Sequence, residues 1–220
     1  MVFLAEGRIQ VSRKQIVMAI TGASGGPIAL RLLDVLTSAG TDVHLIMSPH
    51  GREVLAGECD VQGADSKNLW GRSGDGVTIY DHSDLACRLA SGSFLTDGMV
   101  ICPCSSNTLG AVASGLGDNL ITRAAHVTLK EARRLVIVHR EMPVSAVDLR
   151  NMLTLSQAGA VICPASPGFY LKPQTVGDLI DFVVGRVLDL LCVQHDLNVR
   201  WNPSAETIGS EVASRAGGQP

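Results

Sequence analysis

The chain has little of what charged or aromatic recognition surfaces are made from. Aromatic residues are 4% of its 220 residues and charged residues 18%. Net charge is -3 with no long basic run, which argues against nucleic acid and anionic membrane surfaces as partners. No uninterrupted apolar run reaches the roughly 20 residues that span a bilayer. The N-terminus lacks the apolar core of a signal peptide and reads as a short tail, so the cytoplasm is the expected location. None of the six cysteines forms a C-x-x-C pair, so no zinc site is expected. A disulfide framework does not suit a chain of this size and type. Cys102 and Cys163 close apolar runs, where buried reduced thiols are common. His44, His50, His82, His126, His139 and His195 show no ligand spacing and read as structural or surface histidines.

Apolar residues are plentiful: 46% of the chain, with a mean hydropathy of +0.25. That fills a large core and leaves surface to bury. Subunit interfaces explain the surplus best; a monomer with an unusually apolar core is the other reading.

Gln15 to Thr21 is a β-branched run that breaks into Gly22-Ala23-Ser24-Gly25-Gly26, followed by Pro27 and a helical pattern ending at Gly40. Pro27 fits a first helical turn, where its missing N–H costs nothing. Further strands are predicted at Asp42–Met47, Gly76–Tyr80, Met99–Cys102, Leu135–His139 and Ala160–Cys163. Helices are predicted from Ser48 to about Glu58, then over Ser105–Ala113, Asn119–Arg133, Val147–Gln157 and Val176–Leu191. Such alternation predicts an α/β fold of three layers, a doubly wound, mostly parallel Rossmann-like or flavodoxin-like sheet in a single domain. The domain is expected over 14–202, with tails at 1–13 and 203–220. Ligands of such folds sit at the carboxyl ends of the strands.

The segments that follow the strands are therefore the ones to weigh. The glycine turn at 22–26 lets backbone N–H groups approach an anion at a helix start, or is a tight turn capped by Ser24. Its spacing is neither G-x-G-x-x-G nor a P-loop. Ser48 is a helix cap or a ligand contact. Ser105, Ser106, Asn107 and Thr108 put four polar side chains at one helix start, more than capping needs. Arg140-Glu141 sets two opposite charges beside a buried strand end, as a salt bridge or a binding pair. Glu58, read alone, is a solvated helix residue. Arg123 and Lys130 are two helical turns apart and share a face. Tyr170 lies in a proline-punctuated loop, and Arg186 within an apolar helix, where its charge needs a partner.

Taken in order, these segments resemble the flavin prenyltransferase family, the UbiX type. The matching stretches are Thr21-Gly22-Ala23-Ser24-Gly25, Arg31-Leu32-Leu33, Ser91-Gly92-Ser93-Phe94, Gly98-Met99-Val100-Ile101 and Pro103-Cys104-Ser105. They continue through Asn119-Leu120, Arg123-Ala124-Ala125, Leu129-Lys130-Glu131, Arg140-Glu141-x-Pro143, Asn151-Met152, Gly168-Phe169-Tyr170-x-x-Pro173 and Gly185-Arg186. The resemblance implies transfer of a dimethylallyl group from dimethylallyl phosphate to N5 and C6 of reduced FMN, without a metal. Prenylated FMN then serves a UbiD-type decarboxylase. It also implies a homo-oligomer, a dodecamer in many members.

By the same resemblance Gly22, Ala23, Ser24, Ser48, Ser105, Ser106, Asn107, Thr108 and Arg140 bind FMN. Tyr170, Arg186, Lys130 and Arg123 bind the prenyl phosphate, some of them from a neighbouring subunit. Glu58, Glu141, Ser24 and Lys130 serve catalysis. Two stretches depart from the family: Gly26-Pro27-Ile28-Ala29 lacks its x-Tyr-Gly, and Val147-Asp148-Leu149-Arg150 stands where Ile-His-Leu-Glu is common. Two other functions remain open, an FMN-dependent cysteine decarboxylase and a non-catalytic FMN carrier.

Overall fold

The computed structural model describes residues 4–5, 8–9, 13–61, 76–197 and 199. The main sheet contains β3 (Gln15–Ile20), β4 (Asp42–Met47), β5 (Val77–Tyr80), β6 (Gly98–Cys104), β7 (Arg134–His139) and β8 (Val161–Ile162). Their order is β5-β4-β3-β6-β7-β8, and every neighbouring pair is parallel. Ahead of it, β1 (Leu4–Ala5) and β2 (Arg8–Ile9) form an antiparallel pair within the segment read as a tail. The tail expected at 203–220, and 200–202 of the expected domain, lie outside the described residues.

Among the described residues, six α-helices cover the sheet: α1 (Gly26–Ser38), α2 (Pro49–Cys59), α3 (Ser106–Ala113), α4 (Leu120–Lys130), α5 (Ala146–Gln157) and α6 (Val176–Leu190). The strand period of two divides the core between the faces. Ile16, Met18 and Ile20 pack with Leu32, Leu33 and Leu36 of α1, Leu55 of α2 and Val184 and Leu188 of α6. Val17 and Ala19 pack on the other face with Leu109 of α3, Ile121 and Ala124 of α4 and Leu155 of α5. Because both faces are covered, β3 is buried from Ile16 to Ile20, which is why it reads as a continuous apolar run.

The chain winds outward from β3 through β4 to β5, then returns to the middle and winds the other way from β6 to β8. The two directions part between β3 and β6, and folds of this kind take their ligands in a crevice at the strands' carboxyl ends there. The helices around that crevice begin with local caps. Ser48 Oγ accepts from the Gly51 N–H at 3.0 Å, and Ser105 Oγ accepts from the Thr108 N–H at 3.3 Å. Helix α1 differs from expectation: its N-cap is Gly25, not Ser24, at a φ of 135° that favours glycine, and it has no side-chain cap. Pro103 and Cys104, beyond the strand expected to end at Cys102, continue β6, and Cys104 pairs with His139 after a register shift. Helix α4 stops at Lys130, short of the expected Arg133, where Ala132 turns left-handed at φ 52°.

Candidate active site

The carboxyl end of the sheet is stitched together from four strand ends. Thr21 Oγ donates to the Pro103 carbonyl at 2.8 Å and accepts from the Ser105 N–H at 2.9 Å. The Ser48 N–H donates to Ile20 O at 3.0 Å, and the Arg140 N–H to Cys104 O at 3.2 Å. A methyl on Gly22 would lie 2.6 Å from His50 Cβ, and one on Gly51 would strike the Ile20 carbonyl. Both positions must be glycine for α2 to close against the first turn. Ala23 is buried beneath that turn, whereas Ser24 is exposed.

Glu58, at the far end of α2, reaches back to this turn. One of its carboxylate oxygens accepts from the Gly25 N–H at 2.9 Å and the Gly26 N–H at 2.8 Å. Burial opposes its charge. The Gly25 bond, the Ser24 hydroxyl, the Gly26 bond and the nearby Arg140 guanidinium together outweigh that, holding its pKa below the usual carboxylate value. Glu58 is thus a resident anion at a helix N-terminus, not the solvated residue that the sequence alone indicates. Arg140 also donates from Nε to Ser24 O at 3.1 Å.

Glu141 turns away from Arg140. Its Oε2 accepts from the Ser106 hydroxyl at 3.4 Å, and its Oε1 from the Met142 N–H at 3.2 Å. The salt bridge considered for Arg140-Glu141 is replaced by two separate sets of partners. Ser106 Oγ also lies 3.1 Å from Nε2 of His139, which is 3% exposed. Ser105 is the α3 cap and donates to Thr108 Oγ1 at 3.1 Å, while Asn107 is exposed. Ser48 serves as a cap. Glu58, Ser24, Gly22, Ala23, Ser48, Ser105, Ser106, Asn107, Thr108, Arg140 and Glu141 therefore share the carboxyl end of the sheet. Hydroxyls, a guanidinium and a glycine turn together suit a phosphorylated ligand with a flat ring.

The other predicted residues have partners of their own. Lys130 ends α4, before β7 begins, and contacts Glu131. Six strand residues separate that end of β7 from Arg140, on the order of 20 Å at ~3.3 Å per residue. Arg123 donates from Nε to Ala90 O at 3.0 Å. The Tyr170 ring meets Phe182 edge-on, with centroids 5.6 Å apart. Arg186, on α6, pairs with Asp189 at 3.1 Å and stays half exposed.

Comparison with known proteins gives this geometry a context. The family model described as Flavoprotein matches residues 5–188. The flavin prenyltransferase UbiX of Thermoplasma acidophilum is 46% identical over 187 residues, 85% of this chain and 99% of that one. The chain belongs to the flavin prenyltransferase family. A crystal structure of AnUbiX in complex with FMN and dimethylallyl pyrophosphate superposes with a TM-score of 0.79 at 42% identity, covering 87% of this chain and 98% of that one. A dodecameric FMN-dependent UbiX-like decarboxylase from Escherichia coli O157:H7 superposes at 0.78 and 39% identity, covering 86% and 98%.

Within this flavin prenyltransferase fold, the residues that sequence reasoning passed over are His139 and Asp148. Asp148, 7% exposed, accepts from the Ser145 hydroxyl at 2.6 Å and the Ser145 N–H at 2.9 Å. Those two bonds, then one from Ser106, hold its carboxyl at about 2. Burial pushes the His139 imidazole below its usual value against the pull of Asp148 and Glu141. The available signal was position: His139 ends a buried strand next to Arg140-Glu141.

Proposed function

We propose that this chain joins a dimethylallyl group from dimethylallyl phosphate to N5 and C6 of reduced FMN. The observation that carries the reading is Arg140 seated between Ser24 and the clamped Glu58, with Glu141 next in sequence, at the β3/β6 divergence. FMN suits the donor set: Ser105 to Thr108 and Arg140 offer hydroxyls and a cation to its phosphate, and the turn of Gly22, Ala23 and Ser24 lets a flat ring approach the backbone. Reduced FMN supplies the two nucleophilic carbon-bond-forming positions.

The chain's own residues do the rest. Cleavage of the allylic C–O bond leaves phosphate with the bonding electron pair. Fixed donors from Tyr170, Arg186, Lys130 and Arg123 stabilise that charge in place of a metal. N5 would release its proton as the first bond forms, and closure at C6 would add a proton to the remaining prenyl double bond and release the C6 proton, which Glu141 or the departing phosphate would accept. Glu58, with Ser24, holds the turn and keeps a fixed negative charge near the reacting ring. Excluding water protects the allylic cation.

A homo-oligomer completes the donor set. Lys130 sits at the opposite end of β7 from Arg140 in its own chain, so in this reading it reaches the site from a neighbouring protomer. Exposed apolar side chains offer a contact surface: Met142 is 89% exposed, and Val147 and Leu153 over half exposed. A dodecamer is the assembly we assign, with the cytoplasm as location. No helix among the described residues is long and apolar enough to cross a membrane. The product is passed to a UbiD-type decarboxylase.

The test is anaerobic incubation of the protein with reduced FMN and dimethylallyl phosphate, followed by mass spectrometry of the flavin. A gain of one C5H8 unit is expected. An unchanged mass with bound FMN indicates the carrier reading, and CO2 release from phosphopantothenoylcysteine indicates the cysteine decarboxylase.

A further inference from the structure

Ser106 has one hydroxyl proton and three polar neighbours: Glu141 Oε2 at 3.4 Å, His139 Nε2 at 3.1 Å, and the Asp148 carboxylate. Two of these are carboxylates that can only accept. When the Ser106 proton goes to either one, His139 must meet Ser106 Oγ as a donor, through Nε2–H. The buried imidazole thereby fixes the direction of the whole array. It also links Glu141 to Asp148 through a single rotatable hydroxyl.

We propose that His139, biased by Asp148, is a positioning residue for Glu141, acting through Ser106 to aim the carboxylate and to make its proton-accepting ability depend on pH. This rests on the reading of Glu141 as a proton acceptor. The charged groups facing His139 are Asp148 from α5 and Glu141 and Arg140 from the end of its own strand. α3 contributes the neutral Ser106. With His139 neutral, Nε2–H holds Ser106 and Glu141 is a carboxylate ready for a proton. A proton added to His139 keeps the Nε2–H bond but places a cation two hydrogen bonds from Glu141, and that charge opposes a second proton arriving there. Turnover therefore falls on the acid side as His139 charges. The step conserves protons: the one leaving flavin C6 resides on Glu141, and none is consumed by the array.

The experiment compares His139→Leu, His139→Asn and Asp148→Asn with the parent protein. Prenyl transfer is followed across pH 5 to 8.5, and the histidine ring signals of the flavin-free protein are followed by NMR titration. His139→Leu should lower kcat about ten-fold while KM for dimethylallyl phosphate moves less than about two-fold. His139→Asn retains an N–H donor, so it should recover most of the kcat lost in the Leu variant yet lose the acid-side fall. In the flavin-free protein, the His139 titration should move to lower pH in Asp148→Asn and in Glu141→Gln, because each removes a negative charge that favours the imidazolium. Equal kcat in the Leu and Asn variants, or an acid-side fall that survives in His139→Asn, overturns the inference. So does a His139 titration unmoved by Glu141→Gln. If the parent protein makes no prenylated flavin, the reading of the function fails instead, and the NMR shift still reports on the array.

Discussion

The two carboxylates of the site, Glu58 and Glu141, are held in opposite ways. Glu58 receives two backbone N–H bonds at a helix N-terminus, a serine hydroxyl and an arginine charge. Glu141 receives a long bond from Ser106 and one from the adjacent backbone. A carboxylate that accepts several backbone bonds is fixed as an anion and is a poor place to put a proton. One held by a long bond from a rotatable hydroxyl and one from the adjacent backbone is less tightly fixed and free to turn. Under the proposed function, Glu58 serves electrostatics and turn geometry, and Glu141 proton transfer.

The strongest way to break this comparison is to neutralise each carboxylate. Glu141→Gln should reduce kcat by about 10²- to 10⁴-fold, the usual worth of a general base, with FMN affinity retained. Glu58→Gln should cost less turnover and more FMN affinity, since it removes a charge-assisted acceptor worth roughly 1.5–3 kcal/mol from the turn. Steady-state kinetics and flavin titration separate the two. A larger kcat loss in Glu58→Gln would reverse the assignment.

Arg140 joins the two halves, and its geometry matters beyond its charge. Arg140→Lys keeps a cation but loses the directed Nε–H bond to Ser24 O. We expect about ten-fold weaker FMN binding at unchanged net charge, measured by flavin fluorescence. Full retention would reduce Arg140 to a point charge. Arg186 sharpens the contrast from the prenyl side. Arg186→Ala should raise KM for dimethylallyl phosphate about ten-fold or more while leaving FMN binding nearly unchanged. Equal loss of both would make its Asp189 pair a purely structural contact.

Much of this was legible in the chain. The continuous apolar runs at 15–21 and 135–139 marked strands buried on both faces, and the polar clusters after them marked the crevice. Boundaries were harder: nothing in Pro103-Cys104 alone shows that β6 continues through a proline after a register shift. The role of Glu58 was invisible locally, because its partners at Gly25 and Gly26 lie more than 30 residues away. His139 carries no spacing signal, since its neighbours Ser106 and Asp148 come from different helices. Sequence order could not show that Lys130 and Arg140 sit at opposite ends of one strand.

The smallest effect concerns stability in acid. Glu58 and Asp148 both have native pKa values depressed below their ordinary ones, Asp148 to about 2. A depressed carboxylate binds fewer protons in the folded than in the unfolded state through that window, so stability falls as pH falls. Their contribution is present above the ordinary carboxylate range and disappears as pH drops through the native values, toward about 2 for Asp148. His139 adds to the same slope at milder pH: its imidazole is held neutral by burial, so the unfolded state takes up a proton first below its ordinary value. Chemical denaturation from pH 7 to pH 3 should therefore show a continuous loss of stability. Glu58→Gln and Asp148→Asn should each flatten the curve below pH 5 and lower its neutral plateau. A parent curve no steeper than those of Glu58→Gln and Asp148→Asn would mean that neither carboxylate is clamped in the folded state.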